Sequence, residues 1–198
     1  MNVRRPSLLL ALAAAAALAL PGAASAQARR PAGGTGFGIL IGFEDSKYDN
    51  GLALRLDGEI PLQSVSPVVR LSLVGSLGFT RFSFNPGFFG GESETLNIFK
   101  VTPALRFTFG NHPLIRPYAD AGIGLHYARI SAPCAFDQFG NVDTCSDSDV
   151  SAHLRFAGGL TFQVSPGLGL GAEVDLIPYF GKVDDNTFSL LFVLAFRG

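Results

Sequence analysis

Residues 99–109 read Phe-Lys-Val-Thr-Pro-Ala-Leu-Arg-Phe-Thr-Phe. Phe99, Val101, Leu105, Phe107 and Phe109 fall on one parity, and Lys100, Thr102, Arg106 and Thr108 on the other. Successive side chains of an extended chain point to opposite faces, so this segment makes a strand with one apolar wall and one polar wall. As a helix it would scatter the two classes around its circumference.

The same split recurs on both sides. Toward the N-terminus, Val69, Leu71, Leu73, Leu77 and Phe79 oppose Arg70, Ser72, Ser76 and Thr80. Before them Leu52, Leu54 and Leu56 oppose Arg55, Asp57 and Glu59, and Phe37, Ile39, Ile41 and Phe43 oppose Gly36, Gly38 and Gly42. Toward the C-terminus, Ile123, Leu125 and Tyr127 oppose Asp120 and His126, and Leu154, Phe156, Leu160, Phe162 and Val164 oppose His153, Arg155, Thr161 and Gln163. Leu168, Leu170, Val174 and Leu176 then oppose Glu173 and Asp175, and Phe188, Leu190, Phe192, Leu194 and Phe196 share the last apolar face. Eight strands follow.

The connections alternate too. Residues 44–50, 85–95, 130–149 and 181–187 are long and polar; 61–66, 110–114 and 165–167 are tight and carry Pro, Gly or paired serines. An up-and-down antiparallel sheet with two unlike ends results, as in outer-membrane barrels, whose periplasmic turns are short and outer loops long. The expected fold is therefore all-β: an eight-stranded antiparallel up-and-down transmembrane β-barrel with N-terminus and tight turns periplasmic. The alternative is a soluble periplasmic β-sandwich binding module, which would turn the same apolar faces inward.

Charge placement favours the barrel. The polar faces hold Arg55, Asp57, Glu59, Arg70, Lys100, Arg106, Asp120, Arg155, Glu173 and Asp175, and the other acids, Glu44 among them, fall in the long connections. None is expected on the apolar wall, where a midplane Arg or Lys costs about 2–4 kcal/mol. Eight strands leave an interior just wide enough for side chains, so these ten charges predict a salt-bridged plug. Hairpin pairing about 61–66 sets Asp57 opposite Arg70, while Arg106 comes diagonally near Asp120 and Arg155 near Asp175.

Composition excludes two classes. At 47% hydrophobic and 16% charged residues the chain is no disordered segment, and 15 Lys plus Arg against 16 Asp plus Glu gives no basic surface for nucleic acid. The N-terminus has the form of a secretory signal: Arg4 and Arg5, a Leu/Ala run from Leu8 to Leu20, Pro21-Gly22, and the small-residue site Ala24-Ser25-Ala26. Residues 1–26 are expected to be removed on Sec export, 27–35 to form a short N-terminal segment, and 36–198 the barrel. Its destination would be the outer membrane of a Gram-negative cell.

In an exported protein Cys134 and Cys145 are expected to form a disulfide. The pairs Cys134/Cys145 and His126/His153 share one midpoint, so one uninterrupted hairpin register would place both directly across from each other. The third long connection would then be an extension of strands five and six, pinned near its tip by a bond contributing about 3 kcal/mol in the chain-entropy picture; a bulge within 130–149 would break the coincidence. Two facing histidines would need a third ligand to hold a metal, Asp175 being the nearest by strand order. The expectation is instead two polar side chains hydrogen-bonded among interior water and Arg155, with no metal and no cofactor.

Two segments carry a family resemblance. Arg116-Pro117-Tyr118-Ala119-Asp120-Ala121-Gly122-Ile123-Gly124 is similar to a strand motif of the small OmpA-like and OmpX-like outer-membrane barrels, and Phe188 to Phe196 resembles their terminal strand. The resemblance implies recognition by the barrel-assembly machinery through Phe188 to Phe196, contact with outer-membrane lipid and lipopolysaccharide, and a monomer. With no Trp and 4 Tyr, Phe would supply the interfacial girdle. Lipid-modifying enzymes of this shape exist, but a deacylase would resemble a His and Ser pair on a late strand, and the last run has Ser189 without His; no G-x-S-x-G occurs either. The functional expectation is a non-enzymatic barrel with a plugged interior and a structural or surface-interaction role. The alternative is a narrow channel or lateral route for small molecules. The acidic long connections would either bind divalent cations bridging lipopolysaccharide phosphates or simply stay solvated.

Overall fold

The computed structural model describes residues 35–47, 49–84, 94–110, 112, 114–136, 142–183 and 185–197; for 84, 132–136 and 142–144 it describes the backbone alone. The signal and most of the N-terminal segment expected over 1–35 therefore lie outside the described residues. Eight strands occur in chain order: β1 (Gly36–Asp45), β2 (Asn50–Ser66), β3 (Val69–Phe84), β4 (Glu94–Phe109), β5 (Ile115–Phe136), β6 (Val142–Ser165), β7 (Leu168–Tyr179) and β8 (Asp185–Arg197). A 3-10 turn, Gly181–Val183, precedes β8.

Each strand pairs antiparallel with its chain neighbours, and β1 pairs with β8 from Gly36↔Arg197 to Asp45↔Phe188, so the sheet closes. Closure removes the exposed edges of an open sheet. The sandwich alternative fails here, because there is one ring and its apolar residues point out. Phe43, Leu77, Val101, Ile123, Leu125 and Phe192 are all more than half exposed. Soluble monomers seldom expose continuous apolar surface beyond a few hundred Å²; a belt around the whole wall belongs in hydrocarbon. On β8, Phe188 and Phe196 stand about 27 Å apart along the strand at 3.3–3.4 Å per residue. At a tilt of about 40° the vertical span is roughly 20 Å, near the height of a barrel's apolar band. Aromatic pairs mark both rims: Phe37 with Phe196 at 6.4 Å between ring centroids at the turn end, Phe79 with Phe99 at 4.8 Å at the loop end.

One connection differs from expectation. The first tight turn is Pro67-Val68, not 61–66, because β2 continues to Ser66. Pro61 lies at a register shift between Pro61 and Gln63, followed by another between Ser64 and Ser66. A residue without an N–H is accommodated at such an irregularity. In consequence Asp57 faces Ser76, and Arg70 faces Ser64. Most of 130–149 is strand, the extension of strands five and six that a continued hairpin implies. β5 and β6 run 22 and 24 residues and pair up to Phe136↔Val142. Since the 13 residues of β8 cross the wall, the upper part of this hairpin stands clear of it.

Inside, apolar residues form two clusters: Leu40, Ala53, Leu191 and Val193 on β1, β2 and β8, and Phe82, Leu96, Ile98, Ala128, Ile177, Tyr179 and Val183 below the long-connection end. Between and beside them lie the charges.

Candidate functional site in the barrel interior

Residues two apart on a strand point the same way, so Arg55 and Asp57 on β2, and Glu173 and Asp175 on β7, enter the lumen as pairs. Arg106 is paired directly with Asp120 across β4 and β5. Its fork closes on that carboxylate, Nε to Oδ1 at 2.8 Å and Nη2 to Oδ2 at 2.7 Å, while the guanidinium lies 4.2 Å from the Tyr118 ring centroid. Arg155 donates through Nε to Asp175 at 3.2 Å, and through Nη2 to Glu173 at 2.8 Å and Asp120 at 3.2 Å. Arg55 donates through Nε to Asp57 at 2.9 Å and through its two terminal nitrogens to Asp175 and Glu173. Tyr118 donates to Glu173 at 2.6 Å.

Three guanidiniums thus cross-link carboxylates from β2, β5 and β7 over the width of the lumen. Arg155 is 2% exposed and Glu173 1%. Charges this deep are tolerated only when each is paired and its hydrogen-bonding capacity filled. Glycine supplies the room: a Cβ at Gly159 would collide with the Tyr118 ring.

A second polar cluster was not anticipated. Glu44, expected in a loop, continues the inward parity of Gly38 and Gly42 to the end of β1 and is fully buried. Its carboxylate accepts from Lys100 Nζ at 2.5 Å, Thr80 at 2.7 Å, Tyr179 at 2.8 Å and Thr187 at 2.9 Å. Of the ten expected charges, Arg55, Asp57, Arg106, Asp120, Arg155, Glu173 and Asp175 meet in one lattice. Glu59 touches its margin, 3.4 Å from Arg106, and Lys100 belongs to the Glu44 cluster. Arg70 is exposed near the turn end of β3. The expected diagonal contact of Arg155 with Asp175 forms; that of Arg106 with Asp120 is a direct pair.

The histidines stand on a diagonal. The ladder pairs Gly124 with His153 and His126 with Ser151, two residues away from the expected register. The two rings are 5.8 Å apart, and each residue is 1% exposed. His153 Nε2 is 2.7 Å from Thr102 Oγ1, and His126 packs edge-on against Tyr179 at 4.9 Å. Both ring nitrogens of His126, Nδ1 of His153 and the Ser189 hydroxyl have no hydrogen-bond partner among the described residues; the side chain that His153 meets is Thr102 and not Arg155. Asp175, the candidate third metal ligand, is engaged by Arg55 and Arg155. Among the described residues no group of three or more His, Cys, Asp or Glu is placed to hold a metal ion.

Cys145 pairs with Ala132, and Cys134 is the extra residue at a register shift between Pro133 and Ala135, so the two cysteines are not directly opposed. The Cys134 side chain lies outside the described ones; no free cysteine occurs among those described. The outer wall also departs from expectation. Asp45, Arg81 and Arg129 continue the outward parity of Phe43, Phe79 and Tyr127 and are exposed at the long-connection end.

Residues 8–196 match the model of the outer membrane protein beta-barrel domain. The chain belongs to that family. Among curated proteins none matches the sequence significantly. Among solved structures, the barrel is similar to Neisserial surface protein A at TM-score 0.54 and 16% identity, covering 83% of this chain and 96% of that one. It is similar to Ail, the attachment invasion locus protein of Yersinia pestis, at 0.51 and 17%, covering 83% and 97%. A major outer membrane protein of Thermus thermophilus gives 0.54 and 13%, covering 83% and 99%. At these identities the likeness is one of fold; the family match over 8–196 is what marks the chain as an outer-membrane barrel.

Proposed function

We infer that the protein is a non-enzymatic, closed barrel of the Gram-negative outer membrane that contributes to envelope integrity or to contact with the exterior. One observation carries this reading: the lumen is crossed by the Arg55, Arg106 and Arg155 lattice. A conducting path would have to part ion pairs whose desolvated partners cost about 3–5 kcal/mol when stranded. Nor, among the described residues, does the interior present a catalytic arrangement. Ser189 is buried in the lumen, Glu44 is held by four donors, and the acids of the lattice are held by arginines. The variable chemistry is left to the long connections, as is usual on a rigid scaffold.

A strain lacking the gene tests the reading. It should become more sensitive to detergent or lose surface adhesion, with uptake of small hydrophilic solutes unchanged and the wild-type copy restoring the phenotype. A deletion that abolishes uptake of one solute while leaving detergent resistance and adhesion intact would transfer the assignment to transport.

A further inference from the structure

Cross-strand pairing runs Leu52↔Arg81↔Asn97↔Arg129↔Ser148, one outward-facing row over β2 to β6. Arg81 and Arg129 are exposed and Asn97 is half-buried between them. With strands about 4.8 Å apart, the two arginines stand roughly 10 Å apart at their Cα atoms. The next outward row toward the turns is Phe79, Phe99 and Tyr127, with ring centroids 4.8 and 6.5 Å apart. Below it come Leu77, Val101 and Leu125, each more than half exposed. The basic row therefore sits where hydrocarbon gives way to headgroups. On the outward side of β3, β4 and β5 no acid occurs among the described residues. At the opposite rim the outward residues, Val69, Phe109, Ile115 and Phe196 among them, carry no base.

We propose that Arg81, Asn97 and Arg129 form a binding site for the phosphate groups of the outer leaflet's glycolipid, the lipid A part of lipopolysaccharide. The proposal rests on the reading that the long connections face outside. A guanidinium meets a phosphate with two parallel N–H donors, and its aliphatic stem lies along the apolar wall. The Asn97 amide adds a neutral donor midway. Depth selects the partner: acyl chains lie on the aromatic row, and the first polar group above them on this sector meets two cations. The asymmetry between the rims assigns the site to the outer leaflet, since inner-leaflet phospholipid headgroups meet an outer wall without bases.

The test uses the folded full chain in phosphatidylcholine nanodiscs doped with bisphosphorylated lipid A, dephosphorylated lipid A or phosphatidylglycerol, with retained lipid read by native mass spectrometry. The wild type should retain bisphosphorylated lipid A at least about tenfold over the dephosphorylated form, as a difference of about 1.4 kcal/mol would give. Arg81→Gln with Arg129→Gln should abolish the preference while heat-modifiable migration persists, and Arg70→Gln at the turn end should leave it unchanged. An unchanged preference in the double variant, or equal retention of phosphatidylglycerol, would overturn the site. Conductance and detergent sensitivity are not read by this assay, so a barrel that conducts but prefers lipid A keeps the site, and a closed barrel without the preference loses it.

Discussion

Glu44 and Arg106 behave as opposite ends of one rule. Each is buried with its partners, so removing one member leaves the other charged and dry, at about 3–5 kcal/mol. Arg106→Ala should lower the urea midpoint in lipid vesicles markedly, and adding Asp120→Ala should recover part of the loss because no charge is left alone. The recovery is partial, since Asp120 also accepts from Arg155 and Arg106 also faces Asp57. Glu44→Gln should destabilise similarly by leaving Lys100 with Thr80 as its remaining partner in that cluster, and Glu44→Gln with Lys100→Met should restore stability. Additive losses in either double variant would mean the groups face water, where such pairs are worth about 0–1 kcal/mol. Parity made Arg106 legible in the sequence. The same parity reaches Glu44, Arg81 and Arg129, but polar neighbours such as Asp45, Ser46 and Lys47 look like loop, and a strand's last inward residue cannot be told from a loop's first by composition.

At the scale of elements, the hairpin of β5 and β6 is the least barrel-like part, and it carries two predictions. We expect Cys134 and Cys145 to be bonded: neither should label as a free thiol in the untreated protein, and Cys134→Ser with Cys145→Ser should leave heat-modifiable migration intact while speeding cleavage of 130–149 from outside. The second prediction concerns its attachment to the 3-10 turn. Lys182 Nζ donates to Asp147 at 2.9 Å, and the Lys182 amide donates to Asp149 at 3.0 Å. The Lys182 hydrogen bond holds the Asp147 carboxyl below the ordinary aspartate value of 3.8, and the Ser151 hydroxyl and Lys182 amide do the same for Asp149. A depressed folded value means these contacts stabilise above the unfolded value and are lost as pH falls through the folded one. Exchange protection of the Lys182 amide should therefore hold at neutral pH and fall once the pH drops below about 3.8; protection unchanged well below that would refute the attachment. Facing histidines require an uninterrupted register, and this hairpin has none: the ladder skips Cys134, which supplies one residue of the two-residue offset, and the pairing at the tip, Phe136 with Val142, is already one residue away from the midpoint of the cysteines. A bulge leaves no clear compositional trace. Pro61 shows the same limit, marking an irregularity inside β2 where it reads as a turn.

For the whole molecule, closure, strand number and the outward apolar wall were all written in period-two alternation, since a face in hydrocarbon and a face in a narrow lumen each admit few residue types. The depth of the lattice was not, because it depends on which inward residues meet across the barrel, a property of shear that alternation does not encode. The filled interior leads to one decisive property, whether ions pass. Planar-bilayer recording of the refolded full chain at neutral pH should show no steady single-channel openings above the bare-membrane baseline, and Arg55→Ala with Arg155→Ala, which removes two of the three cross-links, should admit openings where the wild type has none. Steady openings of the wild-type barrel, unaltered by those two substitutions, would contradict a lumen closed by Arg55, Arg106 and Arg155.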